Sequence, residues 1–161
     1  MISKNHFVYP ALSIAKYLVW KASNNNKGIT NKKLQKLVYY SQAWNLALYD
    51  EPLFKEQIQA WIHGPTVPIV YRKYKKYGFN LIKEDAKDCD IFSFNFDQRT
   101  IGLLNEVYDV YGKYDADYLE ILTHSEEPWQ NAREGLNYNE FSKAIISHED
   151  MKNYYRKLKK K

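Results

Sequence analysis

Apolar residues recur at helical spacing along most of this chain. The strongest stretch begins after Thr30, a residue type that caps helix N-termini, and ends at residues 50–52. Tyr39, Tyr40 and Leu46 add apolar area beside its main stripe, so this helix is apolar around most of its circumference. We therefore predict that it is central to the fold. Its main stripe consists of Leu34, Leu37, Val38, Ser41, Trp44 and Leu48.

Shorter helices are predicted on both sides of the central one. Pro10 opens a first helix that ends in the polar loop at 24–28, because proline fits the first helical turn. Glu126 and Glu127 are expected to lie in the first turn of a later helix, where carboxylates interact favourably with the N-terminal dipole. The predicted N-caps of the four later helices are Asp97, Asp115, Ser125 and Ser147.

Two short segments alternate as β-strands do. Residues 57–62 alternate in part, and Phe92, Phe94 and Phe96 alternate with polar residues. We expect the two segments to form short strands that pair in a small hairpin or sheet. The fold class predicted for residues 1–161 is therefore mainly α: a compact single domain of about six or seven helices with a small β element.

The segment 61–78, WIHGPTVPIVYRKYKKYG, predicts a rigid turn that leads into a helix. Gly64 permits a positive φ, Pro65 fixes its own φ, and Pro68 fits only the first helical turn. Such a turn would present Trp61 and His63 for recognition. The alternative is that Trp61 packs in the core and the turn only redirects the chain.

Composition is typical of a globular protein. The chain is 45% hydrophobic and 27% charged, and it has one cysteine, Cys89, which excludes an internal disulfide. No apolar run approaches the ~18 residues that span a membrane, and the N-terminus lacks the pattern of a signal peptide. We therefore expect a cytoplasmic protein with no membrane segment.

The positive charge is concentrated at the C-terminus. The net charge is +5, and residues 156–161 carry five positive charges, so the remainder is neutral. We expect this basic tail to be frayed and to make weak nucleic-acid contact. The basic and aromatic residues at 71–77 indicate either a nucleic-acid-binding helix or, as we favour, cations at a helix C-terminus with tyrosines packed inward.

Catalytic motifs are sparse. The six glycines form no phosphate-binding loop, and no GxSxG elbow is present. The four histidines and Cys89 lack metal-ligand spacing, so no metal or cofactor is predicted. His124-Ser125-Glu126 matches the first half of a zinc deaminase motif, but the second half is absent. An enzyme that uses His63 or His124 as a general base remains an alternative.

Three segments, taken in order, resemble one family. They are LQKLVYYSQAW at 34–44, AWIHGPTVPIVY at 60–71 and LTHSEEPWQNAR at 122–133. The chain resembles the Panacea family of SocA-like and GepA-like phage-associated antitoxins over about residues 10–158. The positions that match the family pattern are Leu34, Gln35, Lys36, Tyr39, Trp61, Gly64, Pro65, Val67, Tyr71, Thr123, His124, Pro128 and Trp129.

The resemblance implies a mainly helical antitoxin that is not an enzyme. It implies neutralisation of a cognate protein toxin by direct binding, with a nucleic-acid-binding module or a phage-associated regulator as the alternative. The length leaves no room for a separate DNA-binding domain, which argues against autoregulation. The toxin and the oligomeric state stay open. The candidate partner-binding residues are Gln35, Tyr39, Trp61, His63, Gly64, Pro65, Tyr71, His124 and Trp129.

Overall fold

The computed structural model describes residues 8–84 and 94–161. Within these ranges the fold is mainly helical with a small two-stranded sheet, as the sequence predicts. A 3₁₀ turn at Lys75–Tyr77 follows the third helix. The elements are α1 (Ala11–Asn24), α2 (Asn31–Tyr49), β1 (Gln59–Trp61), β2 (Gly64–Thr66), α3 (Pro68–Tyr74), α4 (Gln98–Tyr111), α5 (Ala116–His124), α6 (Glu127–Ala132) and α7 (His148–Lys159).

Helix α2 is the centre of the fold. It packs against α1, α3, α4, α5, α7 and β2, and Leu34, Leu37 and Val38 are fully buried. The Thr30 side chain accepts a hydrogen bond from the backbone N–H of Lys33, and Asp50 ends the helix in the left-handed conformation. The prediction of a central helix is confirmed.

Three of the four later caps are also confirmed. Asp97, Asp115 and Ser147 each accept a hydrogen bond from the backbone N–H three residues ahead. The prediction for Ser125 is wrong: its Oγ donates to the carbonyl of Leu122, and it caps the C-terminus of α5. Helix α6 begins only after Glu126, one residue later than predicted.

Strand β1 pairs with a different segment from the one predicted. β1 pairs antiparallel with β2, with Ala60 opposite Pro65, across the turn at 62–63. Phe94 and Phe96 are not in a strand; their rings stack on each other and meet the ring of Tyr17 edge-on. Their alternation reflects aromatic packing on one side of the chain, and Phe92 lies outside the described residues.

The start of the basic tail is ordered, contrary to expectation. Helix α7 continues to Lys159, and the guanidinium Nε of Arg156 donates to the carbonyl of Ala47 at 2.9 Å. The buried side chains of Met151 and Tyr155 face the core. This apolar face holds α7 against α2 and carries the first basic residues with it.

Glu126 is buried in the core and precedes α6, whereas the sequence predicts it in the first turn of that helix. It is 4% exposed, and its Oε1 accepts hydrogen bonds from the hydroxyls of Tyr40 at 2.8 Å and Tyr155 at 3.0 Å. The Tyr155 hydroxyl also lies 3.1 Å from that of Tyr39. Burial raises the pKa of Glu126 to about 7, although the tyrosine hydrogen bonds oppose the shift.

Replacing Glu126 with glutamine should change how stability depends on pH. The folded chain holds a proton on Glu126 up to about pH 7, whereas an unfolded glutamate releases it near pH 4.5. The free energy of unfolding of the wild type therefore decreases as the pH rises from about 4.5 to about 7. Relative to the wild type, Glu126→Gln should gain stability over this range, by up to about 3 kcal/mol.

Urea unfolding at pH values from 4 to 8 measures this difference. The pKa of His124 shifts in the opposite direction, but His124 is present in both the wild type and the variant. Its contribution to the pH dependence of stability therefore cancels in the difference. Glu127→Gln is the matched control, because Glu127 is the neighbouring glutamate and is exposed. The difference in free energy of unfolding between Glu127→Gln and the wild type should change much less over this pH range. A Glu126→Gln difference that stays constant from pH 4 to 8 would contradict the buried network.

Candidate partner-binding site

The turn between β1 and β2 fits tightly over α2. Gly64 has φ of 110°, a conformation that disfavours side chains. A Cβ at this position would lie 2.5 Å from Cε of Lys36 and 3.1 Å from Oγ1 of Thr123. Glycine is therefore required here both by the backbone and by the close approach of two neighbouring elements.

Lys36 of α2 packs directly beneath the turn. Its side chain is 1% exposed, and its Nζ donates to the carbonyl of Pro65 at 3.4 Å. Burial, together with the nearby cation Lys32, lowers the pKa of Lys36 to about 7. At neutral pH a large fraction of this side chain is therefore uncharged, which reduces the cost of burying it.

Two buried amide side chains fix the turn to the next helix. Oε1 of Gln35 accepts a hydrogen bond from the backbone N–H of Val67 at 2.9 Å. Nε2 of Gln35 donates to Asn31, whose own amide donates to the carbonyl of Tyr71. Together they bind both ends of the first turn of α3 to α2.

An aromatic stack connects the turn to α5 and α6. The Trp129 indole donates from Nε1 to the carbonyl of Trp61 at 2.9 Å, and the His124 ring stacks on it at 3.9 Å. Nδ1 of His124 lies 2.5 Å from the hydroxyl of Tyr138. Burial lowers the pKa of His124 to about 4, so the ring is neutral at physiological pH.

Arg133 completes this stack, and sequence reasoning did not identify it. Its guanidinium is 5.0 Å from the Trp129 ring centre, and NH1 donates to the carbonyl of Ala60 at 2.8 Å. NH2 donates to the carbonyls of Asn137, Tyr138 and Glu140. This buried cation therefore holds the segment after α6 in a fixed shape, a role that is absent from the local sequence pattern.

His63 differs from the other predicted residues because it lies on the surface. Its side chain is 76% exposed, and Nδ1 is 2.6 Å from Oε1 of Glu120. Glu120 also contacts Lys32. Burial alone would raise the pKa of Glu120, but the hydrogen bonds to His63 and Lys32 outweigh burial and lower this pKa. The three residues form a polar rim beside the turn.

The nine predicted partner-binding residues thus lie at different depths. Most are buried and support the turn, whereas the half-buried indole of Trp61 meets the half-buried ring of Tyr71 edge-on. Their role in binding stays a prediction. The buried ones are Gln35, Tyr39, Gly64, Pro65, His124 and Trp129; Trp61 and Tyr71 are half-buried, and His63 is exposed.

Neither His63 nor His124 lines the surface groove between α2 and α4. This groove has a volume of about 380 Å³, with Trp44, Leu48 and Val110 among its walls. Among residues 8–84 and 94–161, no group of three or more His, Cys, Asp or Glu side chains is arranged to hold a metal ion. No helix in these ranges is long and apolar enough to cross a membrane.

Comparison with known proteins gives one family. A sequence model of the family described as "Antitoxin SocA-like, Panacea domain" matches residues 34–130. This range contains all but the first three residues of α2, the turn, and the stack of His124 on Trp129. It ends before Arg133 and the segment that Arg133 holds.

A curated relative supports the same family. Over 83 residues the chain is 35% identical to "Antitoxin SocA" of Caulobacter vibrioides (strain NA1000 / CB15N). The alignment covers 52% of this chain and 44% of that protein, so the chain spans less than half the length of this relative. No solved structure matches the chain.

Gly64→Ala tests the close approach at the turn. The new Cβ would collide with Lys36 and strain the backbone, so we expect a loss of about 2–4 kcal/mol in the free energy of unfolding. Gly102→Ala is the matched control, because Gly102 lies in α4 with no atom within 4 Å of the added Cβ. It should stabilise the chain by about 0.5–1 kcal/mol. Equal effects of the two substitutions in chemical denaturation would contradict this geometry.

Proposed function

Because the chain belongs to the SocA-like Panacea family, we propose that it is an antitoxin that neutralises a cognate protein toxin by binding it directly. The match over residues 34–130 is the observation that carries this proposal. The proposal includes a single domain over residues 1–161 that acts without a catalytic step. The relative is named an antitoxin, and this chain aligns with less than half of it, so the toxin partner is part of the proposal.

The surface beside the turn supports a binding role. Tyr138, which contacts the stacked ring of His124, is 63% exposed. Phe141 and Ile121, each three residues along the chain from Tyr138 and His124 respectively, are 69% and 68% exposed. Exposed aromatic side chains on a fixed backbone are typical of protein interfaces, because they bury large area at small entropic cost. The polar rim of His63, Glu120 and Lys32 would flank such an interface.

The two histidines are poorly placed for general-base catalysis. The low pKa of His124, about 4, weakens it as a base at neutral pH, and its ring is occupied by stacking on Trp129 and by the Tyr138 contact. His63 is exposed and paired with Glu120 at the surface. Both arrangements favour a binder over an enzyme. Nucleic-acid contact through residues 156–161 stays a separate prediction, which high salt would abolish.

Growth rescue during co-expression with the neighbouring gene product tests the proposal. We expect rescue to require about one antitoxin per toxin, and the two proteins to elute as a complex. His63→Ala should weaken rescue in a graded way that higher expression restores, because it removes one surface contact. A general base would instead lose ~10²-fold or more in activity.

Trp61→Ala provides the stronger perturbation. Its half-buried ring contacts Tyr71, so we expect a greater loss of rescue than for His63→Ala, with a stability cost of about 3 kcal/mol. Circular dichroism separates lost fold from lost contact. Full and lasting rescue by substoichiometric antitoxin would contradict neutralisation by binding.

A further inference from the structure

An extended segment after α6 forms an antiparallel β-bridge with β1, beside the two-stranded sheet. The backbone N–H of Ala60 donates to the carbonyl of Ala144 at 2.8 Å, and that of Ile146 donates to the carbonyl of Ile58 at 2.9 Å. Gln59 therefore faces Ile145 in an antiparallel bridge. One edge of this segment is paired with the sheet.

The opposite edge is open. In an extended chain successive backbone N–H and C=O groups point to alternate sides, so those of Ile145, which lie between the two bonds to β1, point away from it. Lys143 lies two residues before Ile145 and is also exposed. Neither residue's N–H nor its C=O hydrogen-bonds within the described ranges. The side chains also alternate: Phe141, Lys143 and Ile145 are exposed, whereas Ile146 is buried.

This open edge is rigid before any partner arrives. Arg133 binds three carbonyls between residues 137 and 140, and the Glu140 carboxylate accepts from the N–H of Asn137 at 3.0 Å. The Ser142 hydroxyl accepts from the N–H of Ala144 at 3.0 Å. A backbone that is already ordered avoids much of the entropic cost of forming an interface.

We propose that the open edge at residues 143–145 binds an extended segment of the partner toxin as an added strand. The inference rests on the proposed function. The unpaired donors and acceptors specify an extended backbone, because a helix has already used its own N–H and C=O groups. Phe141 and Ile145 flank Lys143 on the exposed face, so the added strand carries an acidic side chain between apolar ones.

A second copy of this chain fits the edge less well. Lys143 is the first residue of the open edge, and a charged side chain on an edge strand is a common device against self-pairing. The same charge attracts an acidic segment from a different protein. The edge also lies outside residues 34–130, which allows it to specify one partner on a shared scaffold.

Amide hydrogen exchange, read residue by residue by NMR, tests the added strand. The free chain and its complex with the purified product of the neighbouring gene are compared. The Ile145 amide should exchange at least about tenfold more slowly in the complex, because it gains a hydrogen bond. The amides of Ala60 and Ile146 are internal references, since they are already bonded in the free chain.

A charge reversal tests the chemistry of the occupant. Lys143→Glu should weaken binding to the same gene product about tenfold or more, because it would place like charges opposite each other. Lys16→Glu is the matched control: it makes the same change of charge at an exposed position in the middle of α1, and should leave the Kd unchanged.

The outcomes separate this inference from the proposed function. If the wild type forms no complex, the proposed function fails and the inference fails with it. If a complex forms but the Ile145 amide exchanges as in the free chain, the added strand is rejected while direct neutralisation stands. If Ile145 becomes protected and Lys143→Glu binds like the wild type, an acidic segment is rejected as the occupant.

Discussion

The hydrogen bonds from α2 to the turn are the constraint on which the site depends. Gln35 accepts from the N–H of Val67, and Lys36 donates to the carbonyl of Pro65. Both contacts are buried, so removing either side chain leaves a backbone group without a partner, at a cost of about 1–3 kcal/mol. The turn in turn positions the carbonyl of Trp61 for Trp129.

Buried ionisable groups reduce the stability of this fold at neutral pH, because burial disfavours their charged forms. Lys36, Glu126 and Arg133 are each at most 5% exposed, and none has an oppositely charged partner in direct contact among the described residues. Each is satisfied instead by carbonyls or hydroxyls. Such contacts add little net stability, but they tolerate few alternative arrangements, which suits a scaffold that must hold one shape.

Local signals in the sequence were enough to predict most helices. Thr30, Asp97, Asp115 and Ser147 cap helices as expected because a side-chain oxygen three residues before a free N–H acts locally. Ser125 failed because the choice of helix start was decided by the burial of the next residue, Glu126, which only tertiary packing reveals.

The candidate site was less predictable than the fold. The flexibility of Gly64 and the rigidity of Pro65 pointed to the turn, and the resemblance to the family pointed to Trp129 and His124. Neither indicated which side chains would be buried. Arg133 looks like any surface cation in the sequence, because its partners are backbone carbonyls that lie up to 73 residues away.

We therefore assign separate roles to the two parts of the site. Buried polar contacts hold the scaffold in shape, and the exposed segment after α6 contacts the partner. Comparing Gln35→Ala with Phe141→Ala tests it most directly, by measuring thermal stability and affinity for the neighbouring gene product on the same samples. Gln35→Ala should lower stability yet bind normally at temperatures where it is folded. Phe141→Ala should keep wild-type stability and lose affinity. The reverse pattern, with Gln35→Ala losing affinity while folded and Phe141→Ala binding normally, would contradict the account.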